Sequence, residues 1–250
     1  MSARLRPALG AALALIAGLS AASAQGQPGP QEVGQRRDRR EQDFRRADTA
    51  AVVAAELAFA RAAQDKGQWT AFAEYAGEDA VMFVPQPVNA QAWLKGRANP
   101  PQAVRWQPYQ VWSSCDGSLA VTKGAWQRPD GSVGYFTTVW QRREKKKLEY
   151  RWVMDQGDAL AEPLQAPEMI EGKVAECARA SSASETWDAE QADWEANAEA
   201  AGATVGVGES RDRTLAYRYR VLPSGARRTE VFLLKEGRME QVLLSEVAAR

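Results

Sequence analysis

The stretch from Gly124 to Asp158, GAWQRPDGSVGYFTTVWQRREKKKLEYRWVMDQGD, reads as three consecutive antiparallel strands joined by two turns. In the first turn Pro129 presets φ, and Gly131 accepts the left-handed conformation that a hairpin needs. The second turn is the charged run from Glu144 to Lys147. On the last strand Leu148, Tyr150, Trp152 and Met154 alternate with Glu149, Arg151, Val153 and Asp155, a period of two that predicts four large apolar groups on one side of a sheet. The central strand, Val133 to Arg142, is apolar or hydroxylated on both sides at its middle, as expected of a strand with a neighbour on each edge and something packed above it. Its register stays open, because a one-residue change in the Lys-rich turn would swap which side chains share a face.

Upstream residues look built to cover this unit. A helix is predicted from about Thr49 to Lys66, where Val52, Val53, Leu57, Phe59, Ala60 and Ala63 form an apolar stripe and Gly67 stands just past the end. Glu56 interrupts the stripe between Val52 and Phe59; it is either a boundary residue whose carboxylate reaches water or a carboxylate turned into a pocket. A shorter helix, about Trp69 to Tyr75, packs Trp69 and Phe72. The strand Ala80 to Val84 ends at Pro85 and Pro87, which cannot donate to a ladder. Asn89 can cap a third short helix carrying Trp93 and Leu94. Trp106 to Trp112 make the next strand, Asp116-Gly117 turns, and Leu119 to Gln127 returns. Helices first and antiparallel strands afterwards describe an α+β domain with its helices on one face of the sheet.

Beyond Gly157 the character changes. Pro163 and Pro167 make a connection, and the segment up to residue 210 is acidic and Ala-rich, with Trp187, Gln191, Trp194 and Ala198 at helical spacing. The two tryptophans suit packing on their own domain or a partner. Over 211–250 strand character returns as a three-stranded β-meander, too small to be stable alone and so expected to extend the main sheet or pack on it.

Composition narrows the chemistry. The 250 residues hold 32 Lys plus Arg against 32 Asp plus Glu, so no net field recommends a nucleic-acid partner. The chain has no histidine and two cysteines. This excludes Ser-His-Asp and Cys-His catalysis and the commonest ligand sets for zinc, copper or non-haem iron. Neither a metal nor another cofactor is expected.

Arg4 and Arg6 precede an apolar run from Ala8 to Leu19, and Ala22-Ser23-Ala24 supplies a small-residue cleavage site, the pattern of a secretory signal over 1–24 cut after Ala24. No later segment is apolar enough for a membrane helix. Residues 25–48, rich in Arg, Gly and Pro, read as a disordered basic linker. Export to an oxidising periplasmic or extracellular space makes Cys115 and Cys177 a candidate disulfide, the alternative being two buried thiols.

The segments AELAFARAAQDKGQWTAFAEYAGEDAVMFVP (55–85), GYFTTVW (134–140) and YRWVMDQGD (150–158), with the Trp93-Leu94 helix between the first two, resemble the nuclear transport factor two-like superfamily, which includes ketosteroid isomerases and SnoaL-type cyclases. The likeness covers about 48–158 and is nearest to the secreted bacterial branch of unknown function. It implies a cone-shaped domain, a strongly curved antiparallel sheet wrapped around the long first helix with an apolar pocket at the wide end, and frequently a homodimer through the sheet.

Two functions follow. In the first, a secreted module holds a small apolar molecule or a protein partner in a pocket lined by Phe59, Phe72, Phe83, Trp93, Trp106, Trp140 and Trp152, some of the nine tryptophans lining it and others filling the core. In the second, an isomerase or cyclase moves a proton beside a carbonyl, with Asp155 or Glu56 as base and Tyr135 as donor to the developing oxyanion; ketosteroid isomerase shows that such chemistry needs no histidine. Burial of either carboxylate against aromatic rings beside Tyr135 would favour the enzyme.

Overall fold

The computed structural model describes residues 46–144, 148–177 and 184–249. The expected signal segment 1–24, the expected linker as far as residue 45 and the Lys-rich turn 145–147 lie outside the described residues. Among the described residues no helix is long and apolar enough to cross a membrane.

Asp48 opens α1 (Thr49–Lys66) by accepting a hydrogen bond from the Ala51 amide at 2.9 Å. Gly67, at φ 98°, turns the chain directly into α2 (Gln68–Tyr75), whose first amides are capped from a distance by Asn99 Oδ1. Next come β1 (Ala76–Phe83), β2 (Pro87–Asn89) and α3 (Ala90–Leu94), where the Asn89 side chain accepts from the Ala92 amide as the sequence predicts. Then follow β3 (Arg105–Ser113), β4 (Leu119–Gln127), β5 (Val133–Glu144), β6 (Leu148–Leu160) and β7 (Glu171–Val174). The chain continues through α4 (Ser184–Ala200) into β8 (Thr204–Glu209), β9 (Leu215–Val221), β10 (Arg227–Lys235) and β11 (Arg238–Val247).

The fold is α+β: four helices and two sheets among the described residues. The first sheet has seven strands in the order β2-β1-β6-β5-β4-β3-β7, with the expected β4-β5-β6 unit at its centre. The sheet is mixed, however, and not antiparallel throughout. β1 lies parallel to β6, and β7 lies parallel to β3, because each reaches its neighbour by a crossover and not by a hairpin. The second sheet is antiparallel, β11-β10-β9-β8, so the expected meander has a fourth strand that the acidic, Ala-rich segment supplies at its end.

The two faces of the seven-stranded sheet carry separate cores. Val52, Phe59 and Ala63 of α1 pack with Trp140, Tyr150 and Trp152 on one face. Val121, Val139 and Met154 pack on the other face with Leu215, Val231 and Leu233 of the second sheet. The outer face of that second sheet receives α4, through Trp187 packed at a tilt against Phe232 with ring centroids 4.6 Å apart. Arg218 lies over both Trp187 and Trp194, so the two tryptophans of the acidic segment meet their own domain.

One expected pattern fails in an instructive place. Trp152 and Met154 were predicted to share a face, yet Trp152 faces the helices and Met154 the second sheet. Trp140 pairs with Trp152 and Val139 with Met154, leaving Val153 as the extra residue of a β-bulge. The bulge inverts the alternation for the rest of β6, which returns Asp155 to the helix side.

Candidate functional site

A cavity of about 290 Å³ opens between the helices and the first sheet. Phe59 of α1, Trp69 and Phe72 of α2 and Trp93 of α3 form its helical wall. Trp106 of β3, Trp126 of β4 and Phe136 of β5 form its sheet wall. These rings meet edge to face: Phe59 lies 4.8 Å from both Phe72 and Trp106, and Trp69 lies 5.4 Å from Trp93. The wall is therefore a braced aromatic lattice.

Asp155 lines this cavity. Its Oδ2 accepts a hydrogen bond from Thr138 Oγ1 at 2.8 Å, and Thr138 is its partner across β5 and β6. Among the described residues no hydrogen bond reaches its Oδ1. Removal from water pushes the carboxyl up to about 7, outweighing the Thr138 hydrogen bond; the charge of Glu56 raises it further and that of Arg227 opposes the rise. Asp155 is partly buried.

Glu56 lies outside this lining, fully buried at 0% exposure, so the reading of a carboxylate reaching water is corrected. It does not reach water because α1 sets it against the middle of the sheet, where three adjacent strands each aim one donor at it. Trp106 Nε1 of β3 donates to Oε1 at 2.7 Å, while Thr122 Oγ1 of β4 and Trp140 Nε1 of β5 donate to Oε2 at 2.6 and 2.9 Å. Burial raises its pKa and the three donors oppose the rise. Thr122 and Thr138 are cross-strand partners, so one threonine pair holds both acids: one hydroxyl serves Glu56, the other Asp155.

Tyr135 does not join them. Thr138 shares the helix face with Asp155, and residue 135 has the opposite parity on β5, so its ring lies on the far face with Oη 2.7 Å from Ser245 Oγ of β11. The assignment of Tyr135 as a donor beside the acids is corrected on this ground. Of the expected lining rings, Phe59, Phe72, Phe83, Trp93 and Trp106 reach the cavity. Trp140 and Trp152 do not: both lie in the helix-side core, with the Trp140 N–H donating to Glu56 and the Trp152 N–H to the Phe72 carbonyl.

No protein-family model and no curated protein matches the chain.

Sequence reasoning missed Trp69 on α2 as a lining ring, and on the sheet it missed Trp126 and Phe136. Both were legible in principle, since Trp126, Gly134, Phe136 and Thr138 share one face once β4 and β5 are registered through Trp126 opposite Gly134. Gly134 is what lets the indole lie down: a Cβ there would stand 2.2 Å from the Trp126 ring. Trp126 Nε1 then donates to the Tyr135 carbonyl at 2.9 Å, fixing the ring as cavity wall. The disulfide joins Cys115 to Cys177 with 5.3 Å between Cα atoms, as expected. It anchors the chain after β7 beside the loop that ends β3.

Proposed function

We propose that this chain is an exported binding module of the nuclear transport factor two-like kind, which holds a small ring-bearing, mainly apolar molecule in the cavity between α1, α2 and the first sheet. The observation that carries the proposal is an aromatic-walled hollow with a partly buried carboxyl on its wall, the pattern of a ligand site with few orienting polar groups. A volume of about 290 Å³ sits at the low end of ligand pockets, which favours one or two rings over four. The order of helices and strands before Asp158 supports the family reading, and the Cys115–Cys177 bond supports an oxidising destination.

A second reading is favoured by Asp155 alone. A carboxyl titrating at about 7 can take and return a proton at neutral pH, as a base acting beside a ketone must. The displacement of Tyr135 removes the donor that this reading relied on, so binding is placed first.

The readings separate in one set of measurements. Nitrobenzene, a one-ring quencher with no emission of its own, should quench the intrinsic tryptophan fluorescence saturably, and Val104→Trp, which fills the cavity from its lining, should abolish that saturable response while leaving thermal unfolding in place. Absence of saturable quenching in the unsubstituted chain overturns the binding proposal. Exchange of the α-protons of cyclohexanone for deuterium, lost in Asp155→Asn, would instead establish the catalytic reading.

A further inference from the structure

We infer that the cavity selects organic ammonium ions: a ring-bearing amine whose cationic nitrogen rests against Asp155 while its ring lies among Trp69, Phe72, Trp106 and Trp126. The inference rests on the binding reading above and names the chemical class of its ligand.

Three observations carry it. First, the indole N–H groups of Trp106 and Trp126 are committed elsewhere, to Glu56 and to the Tyr135 carbonyl. These rings consequently offer the cavity π surface and not hydrogen-bond donors, and π faces attract cations. Second, the protein already seats cations on two of its cavity indoles. The Arg97 guanidinium carbon lies 3.4 Å from the Trp93 ring centroid, and that of Arg128 lies 4.6 Å from Trp126. Third, Asp155 has Oδ2 engaged by Thr138, while no described residue donates to Oδ1. An ammonium group supplies the missing donor together with the opposite charge, whereas an apolar ligand supplies neither and an anion is repelled.

The charged groups around Asp155 are of both signs, acids on β6 and α1 and two arginines whose guanidinium groups already have partners. On β6 itself, Asp158 also lines the cavity. From α1, Glu56 lies outside the cavity lining and raises the Asp155 pKa through its charge. From β10, Arg227 opposes that rise, but its Nη2 is bound to Gln156 Oε1 and the Gly157 carbonyl at 3.2 and 3.1 Å. Arg128, at the end of β4, is exposed at the rim. A bound cation favours ionised Asp155, so the preference for it is full above about pH 7 and fades as the carboxyl takes up its proton below that pH.

Phenethylamine and phenethyl alcohol test this, since they match in shape and differ in charge. Titrations followed by tryptophan fluorescence at pH 8 should show the amine binding at least about tenfold more tightly, as expected of a charge-assisted hydrogen bond. The margin should close at pH 5. Asp155→Asn should bring the amine to the affinity of the alcohol; if that variant does not fold, the unsubstituted chain at the two pH values decides alone. Equal binding of the two probes at pH 8, or a margin that persists at pH 5, overturns the ammonium inference while leaving ring binding intact. Failure of both probes to bind overturns the inference and the binding reading beneath it.

Discussion

Glu56 draws its three donors from three different strands, so a single side chain of α1 pins the helix to the centre of the sheet. Glu56→Ala leaves the Trp106 N–H without its acceptor and opens a void beside Trp140. It should lower the free energy of unfolding in urea by about 3 kcal/mol or more. Glu56→Gln keeps the shape and one acceptor oxygen and should cost roughly 1 kcal/mol. Asp155 acts in the other direction. Its carboxyl titrates at about 7 in the folded chain against 3.8 for the ordinary group, so the folded state holds the extra proton between those values. Stability linked to Asp155 is therefore full below about pH 4 and is lost as the pH rises through about 7. Thermal and urea unfolding of Asp155→Asn across pH 4 to 8 should show a flatter profile than the unsubstituted chain, the two diverging by on the order of 4 kcal/mol. Profiles that run parallel would mean that Asp155 ionises freely.

At the scale of elements, the bulge at Val153 and the glycine at 134 make the site. The bulge turns Asp155 toward the helices; a regular β6 registered from Trp152 would send it to the second sheet. Gly134 admits the indole of Trp126 across the β4–β5 ladder. Gly134→Ala sets a methyl group 2.2 Å from both that ring and the Asp158 carbonyl, and one of these is backbone. We predict a loss of about 2–3 kcal/mol, with the Trp126 ring displaced. Gly131→Ala, in the turn joining the same strands, meets no neighbour and should cost about 1 kcal/mol, from its φ of 87° alone. Urea unfolding ranks the two.

Across the whole molecule, the first sheet is covered on both faces by its own chain: helices on one side, the second sheet on the other. The face through which the resemblance implies a second copy thus carries β8–β11 here. The loop between β3 and β4 fastens the layers together. The Ala47 amide donates to the Cys115 carbonyl, the Cys115 amide to Thr214 Oγ1 and the Arg211 amide to Ser118 Oγ, while the disulfide brings in the end of β7. Closing a loop across 62 positions restricts the unfolded chain by roughly 4 kcal/mol on chain-entropy grounds. Replacing Cys115 and Cys177 together by Ser should lower stability by about that amount, and added reductant should then have no further effect on the melting temperature.

The sequence by itself determined the elements that local chemistry can write. The end of α1 follows from Gly67, α3 from Asn89, the β4–β5 hairpin from its Pro-Asp-Gly turn, and the candidate disulfide from there being two cysteines in a chain with a signal-like start. Five of the seven proposed lining rings were legible because aromatic residues on a helix-covered face have few places to go. Tertiary structure alone decided which face each acid and ring occupies. A period-two pattern carries no mark of an inserted residue, so Val153 could invert the end of β6, and Tyr135 could part from Asp155, without altering any local preference. The three donors around Glu56 come from strands far apart in the chain, and only the registered sheet brings Trp106, Thr122 and Trp140 to one carboxylate.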